Sequence, residues 1–282
     1  MLQQLTLHTG SRMPVATDQR FTCRLVQTIG RLLGDQVLLF CVVDDHIHLT
    51  LQGETAVVRR QGSKLVRSLR QRSGLDLAPP HISPVEERRH LHSLIGYYAR
   101  QTVRHGLPGH PAAWPGSCLA DLVDVRATPG FDRLAIRRAL PRLQVEAVLE
   151  VVALGREAVA PASDEVLFRA GPIGVRDAAM AAQCTVVGAR TSLQHAANAA
   201  AAQLLTEADY GSRAIARALG VSQRAVRDMR SREVDGEVRQ RIRRRVTFDR
   251  CVAVSPPLEP TARELEALRR SPFRGSRPHD PR

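Results

Sequence analysis

The stretch VLLFCVVDDHIHLTLQ, residues 37–52, constrains the fold more than any other part of the chain. A Val/Leu/Phe-rich run, two aspartates and a second apolar segment read as strand, turn and returning strand. Asp44-Asp45 suits a two-residue hairpin turn, although a glycine is the stronger signal there. Side chains of a strand alternate between faces, so Ile47, Leu49 and Leu51 point one way and His46, His48, Thr50 and Gln52 the other. One face goes to a core; the other carries two imidazoles side by side. Such a pair can grip one divalent cation, or it can be two partly exposed histidines on a sheet's open face. The chain holds its own control. His90-Leu91-His92 has the same spacing in a helical pattern, where positions two apart face nearly opposite sides and cannot chelate.

The flanking segments extend this picture. LQQLTLHT, near the N-terminus, has β character. DQRFTCRLVQTIGRLLGD places Phe21, Leu25, Ile29, Leu32 and Leu33 at helical spacing and ends near Gly34. After the hairpin, AVVRRQGSKLVRSLRQRSG reads as a basic helix that APPH breaks. Ser83-Pro84-Val85-Glu86 then looks like a capping box, with a Ser N-cap, Pro at the first helical position and Glu at the third. The helix it opens should run to about His105 and stop at Gly106. A Pro/Gly-rich loop follows. Residues 131–205 look helical and Ala-rich, interrupted by Pro141, Pro161 and Gly171-Pro172. The last dozen residues, rich in Pro and Arg, should be disordered.

Charge points to a partner. The 282-residue chain carries a net +13 with a pI near 11.0, which suggests a polyanion, nucleic acid first. Only Lys64 among the 41 basic residues is lysine. A GC-rich coding bias would explain Arg in place of Lys, but not the excess of bases over acids. No apolar run reaches the roughly 18–20 residues of a membrane span, and no secretory signal is visible. The five cysteines form no CxxC pair and read as reduced thiols in a cytoplasmic, nucleoid-associated protein.

The capped helix contains LHSLIGYYARQTVRHGL. Leu91, Leu94, Ile95 and Tyr98 make an apolar stripe, while His90, Ser93, Tyr97, Gln101 and Arg104 make an almost wholly polar one. Tyr97 and Gln101, four apart, sit one above the other. A phenolate is a competent nucleophile toward phosphorus when a positive charge lowers its pKa and neutralises the phosphate. Two histidines, with the Gln101 amide oxygen as a hard third ligand, could hold that charge. The plainer alternative is that Tyr97 and Tyr98 fill the edge of the core.

Taken together, these residues resemble a known family. DDHIHL looks like the His-hydrophobic-His strand of HUH endonucleases. YYARQTVRHGL resembles the tyrosine helix of the single-tyrosine HUH transposases, including the REP-associated tyrosine transposases, whose pattern is Y-I-x-x-N-P-V-R-A-G-L. Laying Val103-Arg104 and Gly106-Leu107 on that pattern puts Tyr97 at the nucleophile and Gln101 at a metal ligand. PAAWPGSCLADL resembles the family's Y-x-W-S-S stretch. The likeness covers about residues 1–125. Two positions depart from it: Asp44-Asp45 stands for the usual Pro-Asn, and Gln101-Thr102 for Asn-Pro. The resemblance implies an α+β fold with a ferredoxin-like antiparallel sheet. It implies Tyr97 attacking single-stranded or hairpin DNA to leave a 5′-phosphotyrosine and a free 3′-OH. Mg²⁺ or Mn²⁺ at His46, His48 and Gln101 would polarise the phosphate, and a homodimer is compatible with it.

A second motif lies further on. GSRAIARALGVSQRAVRDMR reads as helix-turn-helix. Ile215, Ala216 and Leu219 pack the first helix, Gly220 turns the chain, Ser222 caps the second helix and Val226 returns to the core. Ser222, Gln223, Arg224, Arg227 and Arg230 would then face duplex DNA, and the basic run Arg239 to Arg245 could add backbone contacts. The alternative is a helical hairpin with a solvated basic face. The expected organisation is a nuclease domain over 1–125, a helical connection over 126–205, an all-α helix-turn-helix region over 206–250 and a tail over 251–282. A transposase-like endonuclease is the leading function. A non-catalytic DNA-binding regulator built on a relict nuclease is the second, and an RNA-binding protein, with few aromatics for stacking, the third.

Overall fold

The computed structural model describes residues 1–10, 18–107, 109–186, 188–189 and 191–262. The tail expected to be disordered lies outside the described residues. The fold is α+β. Strand β1 (Leu2–His8) leads into α1 (Gln19–Leu33), whose N-cap is Asp18. Strands β2 (Val37–Val42) and β3 (His46–Gln52) form the hairpin. The Val43 N–H donates to the His46 carbonyl at 3.0 Å, so Asp44 and Asp45 are the two turn residues. Helix α2 (Thr55–Ser73) and strand β4 (His81–Val85) complete one antiparallel sheet in the order β2-β3-β1-β4.

The register pairs Leu5 with Leu49, Leu7 with Ile47, Thr6 with His48 and His8 with His46. Leu5, Leu7, Ile47, Leu49 and Leu51 are all fully buried. Helix α2 lies directly over that face. A Cβ on its Gly62 would come within 2.5 Å of Leu5 Cδ1, so any larger residue there would push the Leu5 side chain aside. The other face is not the open surface that the plainer alternative describes. His46, His48 and Thr50 are also buried, because α3 (Arg88–Ala99) covers them with Tyr98, whose hydroxyl bonds Thr50 Oγ1 at 3.0 Å. Two-sided burial also explains why a polar face was legible only as alternation.

The capping box is a correction. Ser83, Pro84 and Val85 belong to β4, opposite Gln4, Gln3 and Leu2. β4 is an edge strand, where proline costs no ladder hydrogen bond, and α3 starts at Arg88 with Glu87 as N-cap. Nor is the tyrosine helix continuous. It breaks at Arg100 (φ −100°, ψ 8°) and resumes as α4 (Gln101–Arg104). The chain then returns to cover the free edge of β2. Gly116 accepts from the Val42 N–H at 2.9 Å, Cys118 donates to the Phe40 carbonyl at 3.0 Å, and Trp114 Nε1 donates to the Val42 carbonyl at 2.6 Å. A buried Arg126–Asp121 pair at 2.5 Å pins this cover, with Arg126 also donating to the Pro115 carbonyl at 2.7 Å.

Short helices α5 (Leu119–Leu122), α6 (Arg133–Ala139) and α7 (Val145–Glu150) close the first core. The second core is helical throughout. It gathers α8 (Asp164–Ala182), α9 (Ser192–Glu207), α10 (Ser212–Leu219), α11 (Gln223–Arg230) and α12 (Gly236–Val254) around the alanines of α9. Gly171 (φ 74°) kinks α8 just before Pro172. α10 ends on Gly220 at φ 67°, the left-handed turn that glycine adopts without strain, and Ser222 caps α11 by accepting from the Ala225 N–H at 3.1 Å. Helix α12 joins the two cores, giving Ile242 and Val246 to one and Phe248 to the other.

This joint corrects the role expected of the basic run. Arg241 and Arg244 pair with Asp124, Arg243 with Asp164 (2.7 Å) and Glu207 (2.9 Å), Arg239 with Glu207, and Arg245 with Asp249 (2.8 Å). A helix wedged between two bodies brings its arginines within reach of carboxylates from both, so the run holds the molecule together. All five cysteines are free thiols, and no described helix is long and apolar enough to cross a membrane.

Candidate metal and nucleophile site

His46 and His48 of β3 and Tyr97 of the tyrosine helix meet. His46 Nε2 lies 2.6 Å from His48 Nε2, and the Tyr97 hydroxyl lies 3.3 Å from that same His48 nitrogen. The two imidazole rings stand edge to face with centroids 4.2 Å apart. Strand alternation brings the histidines together; α3 brings the phenol down onto them.

The two tyrosines part company. Tyr98 is fully buried, stacks on the His48 ring at 5.6 Å and gives its hydroxyl to Thr50. Burial, partly offset by the Thr50 bond, drives its phenol far above the usual range, so it stays protonated. Tyr97 is half-buried, and the Arg104 guanidinium sits 4.7 Å over its ring. Gln101 is only 1 % exposed and donates its amide N–H to the Tyr97 carbonyl at 3.2 Å, four residues back. That bond spends a donor and leaves the amide oxygen's acceptor capacity in place.

Hydrogen-bond partners constrain the imidazole nitrogens unequally. Asp45 Oδ1 contacts His46 Nδ1, so that nitrogen carries a proton and donates it to the carboxylate. Thr6 Oγ1 lies 3.3 Å from His48 Nδ1. A hydroxyl both donates and accepts, so it supports either tautomer of His48. Burial first, and then the neighbouring His46, His105, His8 and Arg104, holds the His48 pKa well below 6.5. The neutral ring is the ligating form. Burial alone would raise the Asp45 carboxyl, but its bond to His46 and the nearby His105 and His8 outweigh that and hold it below 3.8.

Several members of the cluster were not anticipated. His105, at the end of α4, pairs with Asp44 at 2.7 Å and lies 3.7 Å from Asp45. Asp45, His46 and His105 each offer a ligand atom, all within 4.8 Å of one another. His8 lies beside His46 across the ladder, the two rings tilted with centroids 5.2 Å apart. The signal was present: two aspartates precede the histidine pair, and β1 pairing puts His8 opposite His46. What sequence could not give is the return of α4 over the turn. His90 and His92, by contrast, are exposed on α3.

The second group of expected site residues lies elsewhere, on α11. Gln223, Arg224, Arg227 and Arg230 are exposed there, and Arg230 reaches Ser212 Oγ at 3.3 Å. Ser222 is occupied as the cap. Val226 and Met229 turn inward. No protein-family model, curated protein or solved structure matches this chain.

Proposed function

We propose that the protein is a transposase-like DNA endonuclease and strand transferase that cleaves single-stranded DNA through a covalent bond to Tyr97. One observation carries this reading: the Tyr97 hydroxyl lies 3.3 Å from His48 Nε2, itself 2.6 Å from His46 Nε2. The β-α-β-β-α-β succession and the order β2-β3-β1-β4 support a ferredoxin-like sheet, the frame that the HUH resemblance implies.

The donor set suits a divalent cation. Two imidazole nitrogens converge, burial keeps His48 neutral, and Asp45 orients His46 through its second nitrogen, as outer-sphere carboxylates do for metal-bound histidines. Mg²⁺ or Mn²⁺ held by His46, His48 and Gln101 would supply the charge that polarises the scissile phosphate. Tyr97 Oη attacks phosphorus as its proton leaves to solvent, the P–O3′ bond breaks, and the departing 3′ oxygen takes a proton from solvent, giving a 5′-phosphotyrosine and a free 3′-OH. Arg104, over the Tyr97 ring, adds positive charge beside the phenolate and the incoming phosphate. The reverse attack by a 3′-OH needs no outside energy, which permits strand transfer. Helices α10 and α11 act as a helix-turn-helix. Gln223, Arg224, Arg227 and Arg230 enter the major groove of a duplex and bring the nuclease to its site.

The test is incubation with single-stranded hairpin DNA from the gene's own flanks and Mn²⁺ or Mg²⁺, followed by denaturing electrophoresis. A protein–DNA adduct is expected that is lost in Tyr97→Phe while DNA binding remains. An undiminished adduct in that variant overturns the assignment. No adduct with either metal, together with tight duplex binding, leaves the second reading, a non-catalytic sequence-specific regulator.

A further inference from the structure

The pairing of Arg239 to Arg245 with internal carboxylates leaves a question of charge. If that run is consumed, the surplus behind the net +13 must lie elsewhere. The largest number of cations on any other described helix is on α2. Between Thr55 and Ser73 it carries Arg59, Arg60, Lys64, Arg67, Arg70 and Arg72, and no acidic residue. All six are exposed. Arg70 alone approaches a carboxylate, Asp76 at 3.9 Å. Among the described residues the other five meet none.

The helix is anchored so that these cations face outward. Val58, Gly62, Leu65, Val66 and Leu69 are its buried positions. Gly62 lies against Leu5, on the sheet face opposite the histidines. Arg60, Lys64 and Arg67 then form one stripe at i, i+4 and i+7, neighbours about 5–6 Å apart at Cβ. Like charges at this spacing weaken a helix, so the arrangement opposes the fold's own stability unless an anion neutralises it.

The chemistry of the face selects among polyanions. A helix that lies in a membrane surface needs an exposed apolar side, whereas every apolar side chain of α2 except half-buried Val57 and the exposed Ala56 is buried. Single strands held by stacking need aromatic platforms, and α2 has none. A convex stripe of Arg and Lys suits a regular line of phosphates, which fixes position without reading bases.

We propose that the outward face of α2 docks the sugar–phosphate backbone of a DNA duplex, independent of sequence, on the side of the sheet away from the His46–His48–Tyr97 cluster. This rests on the reading of the protein as one that acts on DNA, but not on strand cleavage. Two contacts would then share a substrate: α11 reads a site, while α2 holds the adjoining stem.

The experiment measures binding of full-length protein to a duplex of unrelated sequence across a salt series. It uses Tyr97→Phe as the background, so that cleavage plays no part. Replacing Arg60, Lys64 and Arg67 together by Gln should make the slope of log K against log salt shallower by about 2.7, at about 0.9 per phosphate contact. Gln and Lys are helix formers close to Arg, so the helix should survive. Arg60→Lys, Lys64→Arg and Arg67→Lys together keep the charge and should restore the slope. An unchanged slope and affinity in the triple Gln variant overturn the proposal and leave the DNA reading intact. Failure of the background protein to bind any DNA removes both. Binding to phosphatidylglycerol vesicles that depends on these three cations, with duplex binding indifferent to them, overturns it in favour of a membrane. The same pattern with duplex RNA overturns it in favour of RNA.

Discussion

Two histidine pairs share one spacing and have opposite fates. His46 and His48 sit on a strand, are 7 % and 5 % exposed, and bring their Nε2 atoms within 2.6 Å. His90 and His92 sit on a helix and are exposed. The difference is the period of the backbone, two in a strand and 3.6 in a helix. A His-x-His motif therefore carries chemistry only through the element that displays it. Burial adds the second half of the lesson. The strand pair is surrounded by Asp45, Thr6, Tyr97 and Tyr98, each touching an imidazole, whereas the helical pair meets solvent.

The sharpest way to break that contrast is to remove what the strand pair is proposed to serve. Tyr97→Phe should reduce adduct formation to background, a loss on the scale of about 10⁶-fold when a nucleophile is deleted. Tyr98→Phe should leave an adduct detectable on the same gel. If the two variants swap behaviour, the alignment of Tyr97 with the family's tyrosine is wrong by one residue.

Metal affinity separates the pairs next. Mn²⁺ binding, read by calorimetry or by paramagnetic broadening, should disappear in His46→Ala/His48→Ala and persist in His90→Ala/His92→Ala. Asp45→Ala, which removes the carboxylate bonded to His46 Nδ1, should weaken binding by about 10- to 100-fold. Equal loss in both histidine double variants would show that the helical pair also ligates.

Stability divides the same way. The Asp121–Arg126 pair holds the segment that covers β2, and its residues are 1 % and 4 % exposed. Asp121→Ala strands a buried guanidinium, which costs about 3–5 kcal/mol and should be visible in denaturant melts. Neither residue was singled out from sequence. Arg126 is one of 41 basic residues, and nothing local marks it as the one that is buried; only the return of the chain over β2 does. The same holds for His105, which reaches the Asp44-Asp45 turn because α4 folds back over the hairpin. By contrast, the hairpin, its two-residue turn, the basic helix and the Gly220–Ser222 turn between α10 and α11 are set by local rules. Alternation, apolar periodicity and caps made all of them legible. Ser83-Pro84-Val85-Glu86 shows where local rules mislead: it satisfies the chemistry of a capping box, yet pairing with β1 claims three of its residues for a strand. Arg239 to Arg245 shows the same for charge, since a basic run does not reveal whether its partners are outside the molecule or within it.

The smallest effect is a pH dependence that the helical pair should not share. In metal-free protein under chelator, His48 has a folded pKa well below 6.5, and His8 a lowered one. Between about pH 6.5 and those folded values the unfolded chain binds protons that the native state refuses. Stability must therefore fall as pH drops below about 6.5, and it is fully present above it. Asp45, also held below its usual 3.8, acts in a lower window. Its contribution is present above 3.8 and is lost only as pH falls through the folded value. Thermal melts from about pH 8 to pH 5 should show Tm declining at the acid end, and His48→Gln should flatten that decline. His90→Ala/His92→Ala, which removes two exposed side chains, should follow the parent curve throughout. A flat Tm in the parent would mean that His48 gains its proton without opposition, and that the buried character of the strand pair, on which the contrast rests, does not hold in solution.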